Sequence, residues 1–373
     1  MSNKAVGGLA GVIAGESAIA TVGQEGKGLN YRGYSIDDLA EHASFEEVAY
    51  LLIYGSLPTQ SQLTNYCKKL MGLRQLPADL KTILQLIPKS THPMDVLRTG
   101  CSMLGTLEPE ERFTEEYAIA NRLLAIFPGM LCYWYAYHFQ NREIDGQSEE
   151  PDVGGHFLTL LHDKAPTTLE RQAMNVSLIL YAEHEFNAST FAARVTAATL
   201  SDFYSAITSA IGTLRGSLHG GANEAAMELV QQFKSPDEVS GVLMHMLGDK
   251  AKIMGFGHRV YKISDPRSDI IKTWAQKLAE AKDEMPLFNI FECIEAVMRR
   301  EKHLFPNLDF YSAACFHFCN IPTPLFTPVF VMSRITGWAA HVFEQRADNR
   351  LIRPSAQYIG PAPHEFIPIK ARG

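Results

Sequence analysis

An all-α chain with a minor N-terminal β element is what the sequence predicts, and three observations carry the prediction. Helix-start devices recur along the chain, strand signals are scarce, and no strand–helix–strand alternation appears, which argues against a Rossmann-type sheet. The strand signals that do occur lie in "ESAIATVG" and "LNYRGY", a short glycine-bounded pair near the N-terminus.

The helices follow in order. In "SFEE" (Ser44 to Glu47) the serine can accept from the N3 amide while Glu47 reaches back, and "VAYLLIY" continues the helix. Leu123 to Phe139 is apolar enough for a buried core helix; Pro128, Gly129 and His138 make it too short and too broken to cross a bilayer. The polar run "NREIDGQSEEPDVGG" (Asn141 to Gly155) reads as a loop, either a linker or an excursion. "TTLE" (Thr167 to Glu170) repeats the capping box. "SPDE" (Ser235 to Glu238) and Asp265-Pro266 each put proline at the first helical position, where a missing N–H costs nothing. After the second, Ile270, Ile271, Trp274 and Leu278 form one apolar stripe.

Composition bounds the function. With 373 residues, 46% apolar and 20% charged, the chain can bury a large core and suits a soluble protein of two or three domains. A net charge of −7 argues against nucleic-acid affinity, so any anion site is local. The first residues predict no secretory leader. Six scattered cysteines without CxxC suit buried thiols in a reducing cytoplasm. In "CFHFC" the i, i+4 cysteines Cys315 and Cys319 and the divergent His317 lack a second ligand pair, so no metal is expected.

Four stretches could carry chemistry: "AEHEFNAST" with His184 and Asn187, "LRGSLHGGANEA" with His219, "GFGHRVYKISDPR" with His258, and "FPNLDFYSA" with Asp309. Each has a plainer reading: a helix-end histidine, a tight turn between helices, a solvated loop, an N-cap at Asp309 for a helix beginning at Tyr311. Together they form a coherent device. An aspartate among aromatics can be a desolvated base for a C–H proton. A histidine at a helix N-terminus is kept neutral and can donate a hydrogen bond to a developing enolate. A second histidine can polarise a carbonyl on an anionic partner. Arg267, Arg334 and Arg353 have the planar forks that bind carboxylates, although surface salt-bridging is the plainer role for any one of them.

The order and wording of these motifs resemble the citrate synthase family along nearly the whole chain. "GLAGVIAGESAIATVGQEGKGLNYRGY", "AEHEFNAST", "LHGGANEA", "GFGHRVYKISDPR", "NLDFYSA" and "GWAAHVFEQRADNRLIRPSAQYIGP" fall in the family's sequence order, and the second and last look most like its 2-methylcitrate synthase branch. The resemblance implies a helical homodimer, with a large domain (1–221 and 315–373) and an inserted small domain (222–314) that closes over oxaloacetate. His219 would polarise an acyl-CoA thioester, Asp309 remove its α-proton, and His258 act on the oxaloacetate carbonyl. His184, Arg267, Arg334 and, from the partner subunit, Arg353 would hold the oxaloacetate carboxylates, with His219, His258, Asn187 and Arg74 as further contacts to oxaloacetate. Lys252, Ile253, Met254, Gly255, Phe256 and Gly257 would lie along CoA. Gly220 and Gly221 would edge the hinge, and Gly255 and Gly257 would admit the ligand. No metal or redox cofactor is implied, CoA being a substrate carrier, and neither a mitochondrial leader nor an added regulatory domain is expected.

Propionyl-CoA is the expected acyl donor and acetyl-CoA its rival. A helical scaffold without activity would account for the amphipathic helices but not for glycine-bracketed histidines. "GFGHRVYK" has neither GxxxxGK[ST] nor GxGxxG spacing, so it is no nucleotide loop.

Overall fold

A computed structural model describes residues 7–9, 11–23 and 28–372 of the chain. The leader reading of the first residues, and part of the N-terminal motif at 24–27, lie outside them.

The predicted strand pair forms. Strand β1 (Ala20–Val22) runs antiparallel to β2 (Leu29–Tyr31) with Ala20 opposite Tyr31, and β3 (Tyr34–Ser35) adds the third strand. Tyr31 is fully buried, and its hydroxyl lies 3.1 Å from the Ile179 carbonyl and 3.0 Å from that of Glu183. This small sheet thereby fixes the segment that leads into His184.

Sixteen α-helices follow among the described residues. The first six are α1 (Ile36–His42), α2 (Phe45–Tyr54), α3 (Gln60–Gly72), α4 (Ala78–Leu86), α5 (Pro93–Leu107) and α6 (Glu116–Tyr135). Next come α7 (Val153–His162), α8 (Thr168–Tyr181), α9 (Ala188–Ala198), α10 (Phe203–Leu214) and α11 (Ala222–Val230). The last are α12 (Pro236–Gly248), α13 (Pro266–Ala281), α14 (Met285–Lys302), α15 (Leu308–Phe318) and α16 (Phe326–Ala347). The capping boxes of α2 and α8 form in full, and each satisfies two backbone donors that a helix start leaves open. In "SPDE" the proline opens α12, but Ser235 makes no cap bond; the Glu238 carboxylate accepts from the Lys234 amide at 2.9 Å instead.

Two groups of helices pack among themselves. The larger gathers α5, α6, α7, α9, α10 and α16, with α16 buried along nearly its whole length. Helices α11 to α15 make the other, and α1 and α8 meet α13 across the junction. Helix α6 is the buried core helix predicted, and among the described residues no helix is long and apolar enough to cross a membrane. Gly337 shows how closely α16 is approached. A Cβ there would collide with the Glu183 carboxylate and the Ala182 carbonyl, so glycine is what lets the end of α8 settle on this helix.

The run Asn141 to Gly155 is an excursion rather than a linker. Arg171 holds Asp152 at 2.5 Å, and the buried Arg74 donates to the carbonyls of Ser148 (3.1 Å) and Glu150 (2.6 Å).

Candidate active site

The turn between α8 and α9 supplies the first side chain. Glu185 adopts left-handed backbone (φ 54°), an uncommon state for a residue with a Cβ, and this reverses the chain just after His184. His184 is buried, with Nε2 3.2 Å from the Tyr261 hydroxyl and its ring 5.0 Å from that of His258. Burial and then the Arg267 charge hold its pKa well below the ordinary value, so it is neutral. Asn187 caps α9: its Oδ1 accepts from the Thr190 amide (3.1 Å) and the Ser189 hydroxyl (2.8 Å), while Nδ2 faces Thr190 Oγ1 at 2.9 Å. These bonds make Asn187 an organiser of the turn.

His219 lies in the turn before α11, but the helix end it meets is that of α9. The Ser189 amide, in the first turn of α9, donates to His219 Nε2 at 3.2 Å, and the Ser189 hydroxyl lies 2.8 Å from the same nitrogen. Trp338 Nε1 donates to that hydroxyl at 3.1 Å. An accepting nitrogen carries no proton, so the imidazole hydrogen resides on Nδ1. Burial, followed by the charge of Arg334, lowers the His219 pKa to about 4. Gly220 has no room for a side chain, since a Cβ would strike the Leu214 carbonyl.

His258 reaches neutrality with the opposite tautomer. Its Nδ1 accepts from the amides of Val260 (3.0 Å) and Tyr261 (3.2 Å), so Nε2 carries the hydrogen. Burial and then Arg267 push its pKa down to about 4. The loop before it is laced to the start of α15: Gly257 N donates to Phe305 O (2.8 Å), Asn307 N to Gly255 O (2.9 Å) and Asn307 Nδ2 to Gly257 O (3.0 Å). Gly255 and Gly257 have φ of 86° and 71°, which explains both glycines. A Cβ on Gly255 would sit 3.0 Å from Phe310, so the close approach it permits is to α15.

Asp309 is not the N-cap of its helix. Helix α15 starts at Leu308, Asn307 caps it through the Asp309 amide (3.1 Å), and the Asp309 carboxylate is left to accept from the Tyr181 hydroxyl at 2.7 Å. Desolvation raises its pKa to about 6 against the opposing pull of Tyr181 and Arg267, as suits a base that must accept a carbon-bound proton.

The arginines divide. Arg267 is buried and clamped by Asp265, Nε to Oδ1 at 2.9 Å and Nη2 to Oδ2 at 2.8 Å; burial works against its charge, and Asp265 more than restores it. Asp265 Oδ2 also accepts the Leu308 amide at 3.0 Å, which ties this arginine to the start of α15. Arg334 is buried on α16, with Nε on the Tyr181 carbonyl at 2.6 Å; its pKa falls to about 10, from burial first. Phe330 joins the parts, 4.3 Å from the Tyr181 ring, 6.4 Å from His219 and 4.6 Å from the Arg334 guanidinium. Arg353 lies in the exposed C-terminal segment beyond α16. Arg74 is buried under the 141–152 excursion, and its guanidinium donates to the carbonyls there, so it supports that loop.

The structure thus gathers His184, His219, His258, Arg267, Asp309 and Arg334, with Lys252 to Gly257 leading into His258. Sequence reasoning missed the groups that orient them: Tyr181, Ser189, Tyr261, Asp265 and Trp338. Tyr261 and Asp265 lie inside the quoted His258 motif and Ser189 inside that of His184, so polar residues flanking a candidate histidine were the available signal. Among the described residues no group of three or more His, Cys, Asp or Glu is placed to hold a metal.

Residues 8–355 match the family described as citrate synthase, C-terminal domain. A 2-methylcitrate synthase from Shewanella oneidensis is 57% identical over 365 residues, 98% of this chain and 97% of that one. Citrate synthase 2 of Bacillus subtilis is 41% identical, with 98% of both chains covered. Among solved structures, the citrate synthase of Thermoplasma acidophilum in a ternary complex with carboxymethyl coenzyme A and oxaloacetate superposes with a TM-score of 0.91. It is 32% identical, and the match covers 97% of this chain and 98% of that one. The citrate synthase of Thermotoga maritima gives a TM-score of 0.87 at 37% identity, covering 98% and 99%. Family match, relatives and fold agree over almost the full length, and the chain belongs to the citrate synthase family of condensing acyltransferases.

Proposed function

We propose that this enzyme condenses propionyl-CoA with oxaloacetate and water to give 2-methylcitrate and CoA. The observation that carries the reading is a pair of neutral histidines with opposite tautomers beside a carboxylate of raised pKa. His219 Nδ1–H donates to the thioester oxygen while the Asp309 carboxylate takes the α-proton, and the enolate so formed is held in a site already built for it. Its α-carbon attacks the ketone carbon of oxaloacetate, and His258 Nε2–H donates to the ketone oxygen as it becomes a hydroxyl. Water then cleaves the thioester, releasing carboxylate and the CoA thiol. These steps are proton transfers and bond exchanges among the two substrates and water, so no metal or redox cofactor takes part. His184, Arg267 and Arg334 hold the oxaloacetate carboxylates, and Arg353 joins them across a homodimer interface. The stretch Lys252 to Gly257 lies along CoA.

Closure of a small domain, 222–314, over the larger body of 1–221 and 315–373 would keep water from the enolate. Residue 314 falls within α15, so on that side the boundary is better drawn at the end of the helix, after Phe318. A cytoplasmic location and a role in propionate breakdown fit this chemistry.

The second reading, acetyl-CoA to citrate, is favoured by the 41% identity to a protein named citrate synthase. One methylene in an apolar pocket is worth about 1–3 kcal/mol, so both donors are expected to turn over. Thiol release at saturating oxaloacetate decides. A higher kcat/KM with propionyl-CoA supports the first reading, a higher value with acetyl-CoA the second, and no oxaloacetate-dependent thiol with either sinks both.

A further inference from the structure

His219 works through an imidazole that must point one N–H at the acyl thioester, yet the turn carrying it runs through consecutive glycines, which have no side chains to anchor it. The local backbone gives two bonds: His219 N to Gly216 O at 2.9 Å and Gly220 N to Leu214 O at 3.0 Å. Five residues past His219, on the first turn of α11, Glu224 does something that no step of the reaction requires. Its Oε1 accepts the Thr327 amide at 3.1 Å, and the Thr327 hydroxyl donates to the same oxygen. Its Oε2 lies 3.3 Å from His92 Nε2. His92 is the N-cap of α5 and uses Nδ1 to accept the Met94 amide at 3.2 Å, so Nε2 bears the hydrogen that faces Glu224. Thr327, on the first turn of α16, is 2% exposed, and its hydroxyl also lies 3.3 Å from the Gly220 carbonyl, next to His219 in sequence.

One carboxylate therefore joins the starts of three helices, and a negative charge is favoured at each of those positive ends. It fastens the segment just after His219 to α5 and α16, both in the larger helix group. Ser189 fixes the far side of the imidazole; the Glu224 clasp fixes the backbone from which the imidazole grows.

We propose that Glu224, with Thr327 and His92, is a positioning residue for His219 and sets the direction of its Nδ1–H without touching either substrate. The inference rests on the reading of His219 as the thioester polariser. Its signature is a split between parameters, because on that reading the His219 N–H donates to the acyl thioester and not to an oxaloacetate carboxylate. Glu224→Ala, Glu224→Gln and Thr327→Val are compared with wild type and with His219→Gln, in kcat for thiol release and in the Kd of oxaloacetate measured by calorimetry. Misplacement of a catalytic group by about 1 Å costs up to about 100-fold, so Glu224→Ala is expected to lower kcat about 10- to 100-fold. Thr327→Val, which keeps the backbone amide and loses the hydroxyl, should lower it less. Both should leave the oxaloacetate Kd within about twofold, and Glu224→Gln, which still accepts the Thr327 amide but turns its NH2 toward the His92 N–H, should fall between Glu224→Ala and wild type. Should Glu224→Ala fail to fold, Thr327→Val against wild type carries the test. Unchanged kcat in the folded variants, an equal loss of oxaloacetate affinity, or a glutamine variant slower than the alanine one overturns the proposal. If His219→Gln itself turns over normally, the reading of His219 falls and the proposal with it, and that outcome is distinct from a normal Glu224 variant beside a dead His219 variant.

Discussion

His219 takes its proton-fixing bond from a helix start 30 residues earlier in the chain, whereas His258 takes both of its own from amides two and three residues ahead. The first imidazole is held by tertiary packing: Ser189 holds it, Trp338 holds Ser189, and Phe330 lies against its ring. The second is held by its own loop, which needs positive φ at two glycines and three bonds to the 305–307 segment. Both end neutral, with pKa near 4, and they differ in which nitrogen keeps the hydrogen. In the proposed mechanism, a neutral donor of each tautomer would let one site polarise two carbonyls, on two substrates, without adding positive charge beside the arginines.

The largest effect expected separates both histidines from the base. Asp309→Asn removes the proton acceptor and leaves every bond to His219 and His258 in place, so kcat should fall about 10³-fold or more while the oxaloacetate Kd holds. Near-normal turnover would remove Asp309 from the mechanism. Next come the two histidines. His219→Gln and His258→Gln should each cost about 10²- to 10³-fold in kcat, as expected when one donor to a developing oxyanion is lost. Oxaloacetate should bind more weakly in the His258 variant alone; equal weakening in both would erase the division of labour drawn here.

Ser189→Ala probes the packing that holds His219 and should do less. The Ser189 amide still donates to Nε2, so the tautomer survives and the ring loses one partner; a fall of about tenfold in kcat is expected, with the oxaloacetate Kd unchanged. The same substitution leaves Trp338 Nε1 without its acceptor in a buried place, so a loss of about 1–3 kcal/mol in stability should accompany it, read from denaturant melts. A stability loss with full activity would mean that Ser189 serves Trp338 and not His219.

The contrast also separates what the sequence could reveal from what it could not. The His258 motif was legible because its determinants are contiguous: glycines, histidine, aspartate, proline and Arg267 fall within 13 residues, and Asp265-Pro266 announces a helix start. The capping boxes of α2 and α8 and the N-terminal strands are local in the same sense. Ser189 could not be assigned to His219 from spacing, because the helix start whose amide fixes the His219 tautomer lies two helices earlier in the chain. In sequence Asp309 reads equally as a cap for a helix beginning at Tyr311; the helix starts at Leu308 with Asn307 as its cap, and the Asp265 and Gly255 bonds at that start join it to a loop 43 or more residues earlier. The surroundings of Arg74 are hidden for a related reason. An isolated arginine in sequence gives no sign of whether carbonyls will fold over it, and those of Ser148 and Glu150, more than seventy residues on, do so.

The smallest predicted effect concerns pH and bears on why the histidines must be neutral. Desolvation puts Asp309 near pKa 6 and the two histidines near 4, so kcat/KM for the acyl-CoA should lose about tenfold per pH unit below 6, from protonation of the base while both histidines still carry no charge. Stability has the opposite sign for the two kinds of group. Asp309 binds its proton more tightly when folded, so its protonation favours the fold as pH drops from about 6 toward its unfolded value of 3.8. Each histidine binds its proton more weakly when folded, so its protonation favours the unfolded chain as pH falls from 6.5 toward about 4. The activity loss near pH 6 should therefore come before any unfolding, as parallel rate and thermal-melt measurements would register. Tyr181→Phe refines the assignment, because the Tyr181 hydroxyl donates to the Asp309 carboxylate and pulls its pKa down. Without that bond the acid limb should move to higher pH while the oxaloacetate Kd at pH 8 stays as it was. A limb that does not move would assign the titration to a group other than Asp309, and with it would go the claim that neutral histidines and an ionised carboxylate share one working pH range.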